Sequence, residues 1–438
     1  MSDPSLPPGA WGPAHAAARR LLTPIQRFME VEAASGVVLI VATATALAWA
    51  NSPWSASYRS LWHTELAVAL GPWRFSRPLD FWVNDGLMTI FFFVVGIEIR
   101  SEMYQGTLRD VRRAAFPLAA ACGGMLVPAV IYGAFNAGRA GAGGWGIPMA
   151  TDIAFAVGVL ALLGPRISPA LRILLLALAV IDDLGAILVI AVFYSDGLEL
   201  QGLGVVAAGV AAIAGLKAIG VRSPTVYGLP GLVVWLGMYA AGIHPTLAGV
   251  ILGLLTPVRA WSHAAQDLEP ESPAAHLQHA LHRWVAFVIM PLFALANAGV
   301  ELGGASLRGD AGLVFLGIVL GLGAGKPLGI LLACRASVAV RLAVRPNQVS
   351  GSGLATVGIV AGIGFTMSLF IAQLGLPPGP LLDTAKLAIL VGSLVASMTG
   401  LAVGTLRLRP TAGAHDPGDA DGPSSAGPGE IARAAGSG

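Results

Sequence analysis

Between Ile173 and Tyr194 the chain reads ILLLALAVIDDLGAILVIAVFY, a stretch long enough to cross a bilayer in which Asp182 and Asp183 are the only charged residues. About 20 apolar residues in a helix span the hydrocarbon core. One carboxylate at its centre costs roughly 3 kcal/mol on insertion scales, so two in succession need a reason to persist. Intramembrane acids of this kind point first to an ion or proton pathway.

Composition agrees with a membrane setting. Of 438 residues 55% are hydrophobic and only 11% charged, which describes a polytopic membrane protein and excludes aqueous catalysis on a large polar substrate. The net charge is +2 and the basic residues lie in short loops rather than a stripe, so no nucleic-acid partner is indicated. Cys122 and Cys334 both fall in apolar segments and offer no disulfide framework. The first apolar run, 33–51, follows Arg19 and Arg20 but is too long, with too long a polar leader, for a secretory signal, and reads as a membrane span.

Apolar stretches bounded by charge or by Pro and Gly give about twelve helices, near 33–51, 81–99, 116–135, 147–163, 173–194, 203–216, 226–241, 244–257, 284–300, 313–334, 353–373 and 387–405. The expected fold class is therefore an all-α polytopic membrane protein. Alternate loops, beginning with the amino terminus, hold 19 of the 26 lysines and arginines, the opposite loops hold 6, and Lys326 lies within a span. The positive-inside rule then places both termini in the cytoplasm. Domain boundaries follow as a tail over 1–30, a membrane domain over 31–408 and a tail over 409–438. Both tails are rich in Pro, Gly and Ser and are expected to be disordered. In the long outer loop at 53–80, short apolar runs flank Gly71-Pro72, which fits equally a plain loop or a small hairpin that would serve as a dimer contact.

Asp152, Asp182, Asp183 and Lys326 all stand at membrane depth. Uncompensated, they would cost on the order of 10 kcal/mol, so they are expected to converge in one partly hydrated cavity. Adjacent helical positions are about 100° apart, which turns Asp182 and Asp183 to different partners, one to a cation and one to Lys326. A purely structural salt bridge is the competing reading. Against it, three acids to one ammonium leave excess negative charge, which suits a cation. Two spans look broken. The fourth has Pro148 just before Thr151-Asp152 and a glycine-rich lead, and the eleventh carries Gly358, Gly362 and Gly364. Interrupted spans in corresponding halves point to an inverted-repeat transporter with two broken helices crossing at the midplane.

Seven segments together carry a resemblance: Trp82–Arg100, Ala150–Gly164, Val180–Leu188, Gly242–Leu252, Pro291–Val300, Gly325–Ile330 and Gly362–Gln373. Through them the chain resembles the NhaA family of bacterial sodium/proton antiporters over residues 30–405. The resemblance implies that Asp182 and Asp183 carry sodium and protons, that Thr151 and Asp152 belong to the same site, and that Lys326 pairs with Asp182. It further implies accessory roles for Asp85, Glu98 and His244, for which packing or helix-end electrostatics is an equal alternative. The protein would then be a secondary transporter of the bacterial inner membrane. It would need no cofactor and would export sodium or lithium against a larger number of protons in sodium and pH homeostasis. One departure stands out: Gln278 occupies the position of a family glutamate near the ninth span, where His276, His279 and His282 recur every third residue.

Carboxylates shut away from water hold protons until a cation displaces them. Sodium, a hard cation, is suited by aspartate, threonine and freed backbone carbonyls, as are calcium and magnesium. Competition for one site, with access alternating only when it is occupied, gives exchange. A sodium-coupled solute symporter would need a larger polar site than the sequence offers. An intramembrane aspartyl protease needs its two acids on different helices, whereas Asp182 and Asp183 are neighbours and only Asp152 with Asp183 could imitate such a dyad.

Overall fold

The computed structural model describes residues 32–408 apart from 72, 105, 107, 108, 110, 196, 222, 223, 259–271, 304–306 and 347. The expected tails at 1–30 and 409–438 lie outside the described residues. So do several of the loop arginines behind the orientation, among them Arg19, Arg20, Arg27, Arg222, Arg259, Arg409 and Arg433.

Among the described residues eight helices are long and apolar enough to cross a membrane, or ten if each of two bent pairs is one span. In chain order the helices are α1 (Glu32–Ala50) and the short α2 (Ser55–Trp62), then α3 (Leu79–Tyr104), α4 (Val111–Asn136), α5 (Ile153–Leu162) and α6 (Pro169–Phe193). There follow α7 (Leu200–Ala218), α8 (Gly228–Ala240), α9 (Leu247–Leu255), α10 (Pro273–Asn297) and α11 (Gly309–Ala339). The last three are α12 (Gly351–Ala361), α13 (Phe365–Gly375) and α14 (Pro380–Arg407). The short pair expected near residue 242 is present as α8 and α9, whose 13 and 9 residues reach only about 20 and 14 Å.

Start signals are local and ordinary. Ser168, Ser272 and Ser350 each accept the backbone N–H three residues on, and Pro169 and Pro273 fill the first helical position, where no N–H is missed. Two boundaries differ from the hydropathy reading for one reason. α10 begins at Pro273 rather than 284, and α14 at Pro380 rather than 387, because their first turns are amphipathic and an apolar window trims them.

The outer loop does fold back as a hairpin. β1 (Glu65–Leu70) pairs antiparallel with β2 (Trp73–Pro78), from Glu65 opposite Pro78 to Leu70 opposite Trp73. Phe75 packs edge-on against Trp82, Trp235 and Tyr239 and at a tilt against Phe81, and the Arg77 guanidinium lies 5.2 Å from the Tyr239 ring centre. The hairpin is thus anchored on α3 and α8.

Two groups of helices emerge from the packing. In one, α4 packs on α6 and α11, and α14 on α11, α12 and α13; in the other, α9 packs on α3 and α8, α8 on α7, and α10 on α1, which also packs across on α5 of the first group. The first group contains two matching triples. A helix, a broken span and a helix occur as α4, a 3₁₀ segment (Ala142–Met149) with α5, and α6; they recur as α11, α12 with α13, and α14. Counted as the third and tenth of the twelve spans expected from hydropathy, the helices that begin these triples run in opposite directions, as an inverted repeat requires.

Close crossing of α3 and α9 needs glycine. A Cβ at Gly253 would lie 2.5 Å from the Phe93 carbonyl oxygen and 2.7 Å from the Ile97 nitrogen, both backbone. Gly253→Ala is therefore expected to lower the melting temperature of the purified protein, at a cost of about 1–3 kcal/mol. Gly204→Ala on α7, where a Cβ meets nothing within 4 Å, should leave it unchanged or slightly raised.

Candidate functional site

Both breaks lie in the first group of helices, and they meet. Residues 150–152 are extended between the 3₁₀ segment and α5, and residues 362–364 separate α12 from α13 with a 46° bend. Each break uses the other's backbone. Asp152 N donates to Ile363 O at 2.7 Å, and the Thr151 hydroxyl donates to Ala361 O at 2.9 Å.

Asp152 caps two helices at once. Its Oδ1 accepts from Phe155 N at 3.0 Å in the first turn of α5, and its Oδ2 from Thr366 N at 3.1 Å in the first turn of α13 and from the Thr366 hydroxyl. A carboxylate there answers both orphan amides and the positive ends of two helix dipoles. Lys326 performs the opposite task. It follows a π-helical turn (Gly321–Gly325) in α11, donates to the Met149 carbonyl at the end of the 3₁₀ segment, and lies 2.9 Å from Asp182 Oδ2.

Asp182 Oδ2 lies 2.7 Å from the Thr151 hydroxyl, whose single proton it shares with Ala361 O. Its Oδ1, and Oδ1 of Asp183, are buried with no hydrogen-bond partner among the described residues. The four charged residues are at most 2% exposed, so the cluster is closed to bulk water in this conformation rather than set in an open cavity. Asp183 feels Glu98 on α3 as well as Asp152, Asp182 and Lys326. Of the two acids, Asp182 is the one that bonds the lysine and the threonine among the described residues. Buried oxygens without donors are matched chemically by a proton or a hard cation.

Other expected residues sit elsewhere. His244 Nδ1 lies 3.5 Å from Asp85 Oδ1 and 3.0 Å from the Thr246 hydroxyl, and its ring meets Phe370 of α13. Among the described residues no hydrogen bond or ion pair joins Asp85 or His244 to the central cluster. His276, His279 and His282 are exposed on the first turns of α10, with Gln278 between them. Among the described residues no group of three or more His, Cys, Asp or Glu is placed to hold a metal ion.

Sequence reasoning missed several participants. Thr366 lies in the eleventh span just beyond Gly364, as Asp152 lies beyond the fourth span's break, and that symmetry was its available signal. Ser368 donates to Ile147 O at 2.7 Å, and Ser393 of α14 accepts Phe365 N at 3.1 Å. The 3₁₀ form of residues 142–149 was also unforeseen.

A family model described as Na+/H+ antiporter 1 matches residues 26–403. The chain is 53% identical to a protein of Sorangium cellulosum named Na(+)/H(+) antiporter NhaA 2, over 92% of this chain and 94% of the relative. It is 49% identical to the Na(+)/H(+) antiporter NhaA 2 of Myxococcus xanthus, over 91% and 93%. With the Na(+)/H(+) antiporter NhaA of an Acidovorax species the identity is 51%, over 87% and 91%.

Removing one partner of a buried ion pair leaves a charge alone and typically costs about 3–5 kcal/mol. Lys326→Ala is accordingly expected to lower the melting temperature sharply, Lys326→Arg less so, and Lys326→Ala with Asp182→Asn to recover part of the loss. Thermal unfolding in detergent reads all three. Equal melting temperatures for wild type and Lys326→Ala would show that the pair carries no structural weight.

Proposed function

The chain belongs to the Na+/H+ antiporter 1 family, and we propose that its exchange of sodium for protons runs through one shared site made by Asp182, Asp183 and Thr151. The observation that carries this reading is the pair of buried carboxylate oxygens without donors, on consecutive residues, served by a single ammonium. A structural salt bridge would use its oxygens up. These acids have coordination to spare.

In the loaded step sodium takes carboxylate oxygens of Asp183 and Asp182, with the Thr151 hydroxyl oxygen and a freed carbonyl near the break as further ligands. Sodium must displace protons from those acids, and protons arriving from the other side must displace sodium. Coupling needs nothing more, provided the protein changes access only with the site occupied. Lys326 gives up or regains Asp182 as the site fills and empties. Asp152 holds the crossing together rather than binding the ion first-hand. Asp85, Glu98 and His244 act on the paths leading in, with Glu98 the one whose charge reaches Asp183. Because one sodium displaces the proton of Asp183 and one proton from the Asp182–Lys326 pair, more protons than cations cross and the exchange is electrogenic. Lithium, a small hard cation, fits the same oxygens.

The protein is a multi-pass membrane protein with no enzymatic activity or cofactor in its cycle, as its family is. We place it in the bacterial inner membrane with both termini in the cytoplasm, on the loop charges. A second copy would pair along the hairpin, whose Leu66 and Val68 are 50% and 47% exposed.

In inside-out vesicles holding an acid interior, sodium and lithium are expected to discharge the gradient and potassium is not. Asp183→Asn keeps the shape and should still insert while abolishing exchange. Normal exchange by Asp183→Asn would sink the shared site. In the wild type, apparent sodium affinity should rise with pH, since sodium and protons compete. That rise should survive replacement of His276, His279 and His282 together by Gln. Its loss in the triple variant would move the pH response to the cytoplasmic face.

A further inference from the structure

Eight consecutive residues of 3₁₀ helix, Ala142–Met149, are an unusual run, because 3₁₀ geometry is poorer than α and seldom persists beyond three or four residues. Something outside the segment must hold it. Tyr194, which caps the carboxyl end of α6, donates its phenol hydroxyl to Gly143 O at 2.7 Å and accepts Gly146 N at 3.4 Å. Its ring stacks on Trp145 of the same segment at 6.5 Å. The opposite side of the segment's start is held by Tyr132 of α4, whose hydroxyl donates to Gly141 O at 2.7 Å.

Tyr194 and the candidate ion site share one helix. α6 therefore touches the broken span twice, through Asp182 on Thr151 and through Tyr194 on Gly143. Along α6 these contacts are twelve residues apart, about 18 Å at 1.5 Å per residue. From Gly143 to Thr151 the broken span has six residues of 3₁₀ rise and two extended ones, which also cover about 18 Å. The same six residues as α-helix would leave the reach at about 15 Å. With the phenol fixed on Gly143, only the stretched form delivers Thr151 to Asp182.

We propose that Tyr194 is a positioning residue for ion binding: by pinning the start of the 3₁₀ segment to the helix that bears the acids, it sets the reach that brings the Thr151 hydroxyl onto Asp182. This rests on Thr151 and Asp182 belonging to the ion site. Released from the phenol, the segment is free to shorten toward α form by about 3 Å, and the pull falls on the hydrogen bonds that hold Thr151 to Asp182 and Ala361 O. Sodium then loses a preset oxygen, and the ring of a phenylalanine still fills the space beside Trp145.

Sodium-dependent proton release from inside-out vesicles gives KM and maximal rate for each variant. Tyr194→Phe is expected to raise KM for sodium about tenfold, the scale of one lost hydrogen bond, with maximal rate and melting temperature near wild type. Gly146→Ala, whose Cβ would stand 3.0 Å from the phenol oxygen, should move KM the same way. Thr151→Ala should raise KM as well, and the Tyr194→Phe, Thr151→Ala double variant should be no worse than Thr151→Ala alone, because the tyrosine acts through the threonine. Thr151→Ala impaired with Tyr194→Phe unchanged, or effects that multiply in the double variant, would overturn the tyrosine's role alone. A lower melting temperature or maximal rate with unchanged KM would also overturn it, as the mark of a merely structural contact. Thr151→Ala with wild-type KM would remove the shared site itself and the tyrosine's role with it.

Discussion

A helix broken within hydrocarbon strands its terminal N–H and C=O groups, and each costs several kcal/mol if nothing meets it. The rest of this structure depends on how two such breaks supply one another. The span broken at 150–152 gives its Asp152 amide to Ile363 O and its Thr151 hydroxyl to Ala361 O; the Asp152 carboxylate takes the Thr366 amide in return. Asp152 faces helix amino ends and Lys326 faces a carbonyl end, so the sign of each charge follows from the backbone it serves. Two of the four buried charges are thereby explained without reference to any ion.

That accounting isolates the other two. Asp182 is half used, by Lys326 and Thr151 on one oxygen, and Asp183 is not used by the fold in any contact that its Oδ1 makes. Burying an unpaired carboxylate is among the more expensive things a chain can do, and an apolar residue of similar volume would be cheaper. Such a group is suited to a charge that comes and goes, as the proposed exchange requires. Glycine and tyrosine contacts around the 3₁₀ segment fit the same view, since they hold the neighbourhood of Asp182 still while leaving its second oxygen open.

Charges were the legible part. Asp182, Asp183, Asp152 and Lys326 stand out in one dimension because their neighbours are Leu, Ile, Val, Ala and Gly, and the breaks are marked by Pro148 and by Gly362 and Gly364. Hydroxyls were not legible. Thr366, Ser368, Ser393 and Tyr194 are unremarkable in an apolar helix, where such groups commonly bond back to their own chain, as Thr356 does to Ser352 O. Which carbonyl each one reaches is decided by the crossing of spans far apart in sequence. Likewise the first turns of α10 and α14 mix polar and apolar residues, and a hydropathy window cannot tell that mixture from a loop. The pairing of Lys326 with Asp182 came from family resemblance, because nothing local in GAGKPLGI names its partner.

The two groups of helices meet beside the site through a different kind of contact. Asn297 at the end of α10 donates to Asn84 of α3 at 2.7 Å and accepts from Gln373 of α13, and the His244 and Phe370 rings meet at 5.3 Å. These are side-chain contacts of amides and ring edges. Within the first group, by contrast, the breaks are joined through backbone N–H and C=O groups that hydrocarbon cannot replace. Exchange as proposed requires the site to face one side and then the other, and the contacts most readily surrendered are those between the groups, where each amide can turn to water or to another amide. The crossing of the two breaks, which sets Asp152 beside Asp182 and Asp183, is thus joined by the contacts that are costliest to undo.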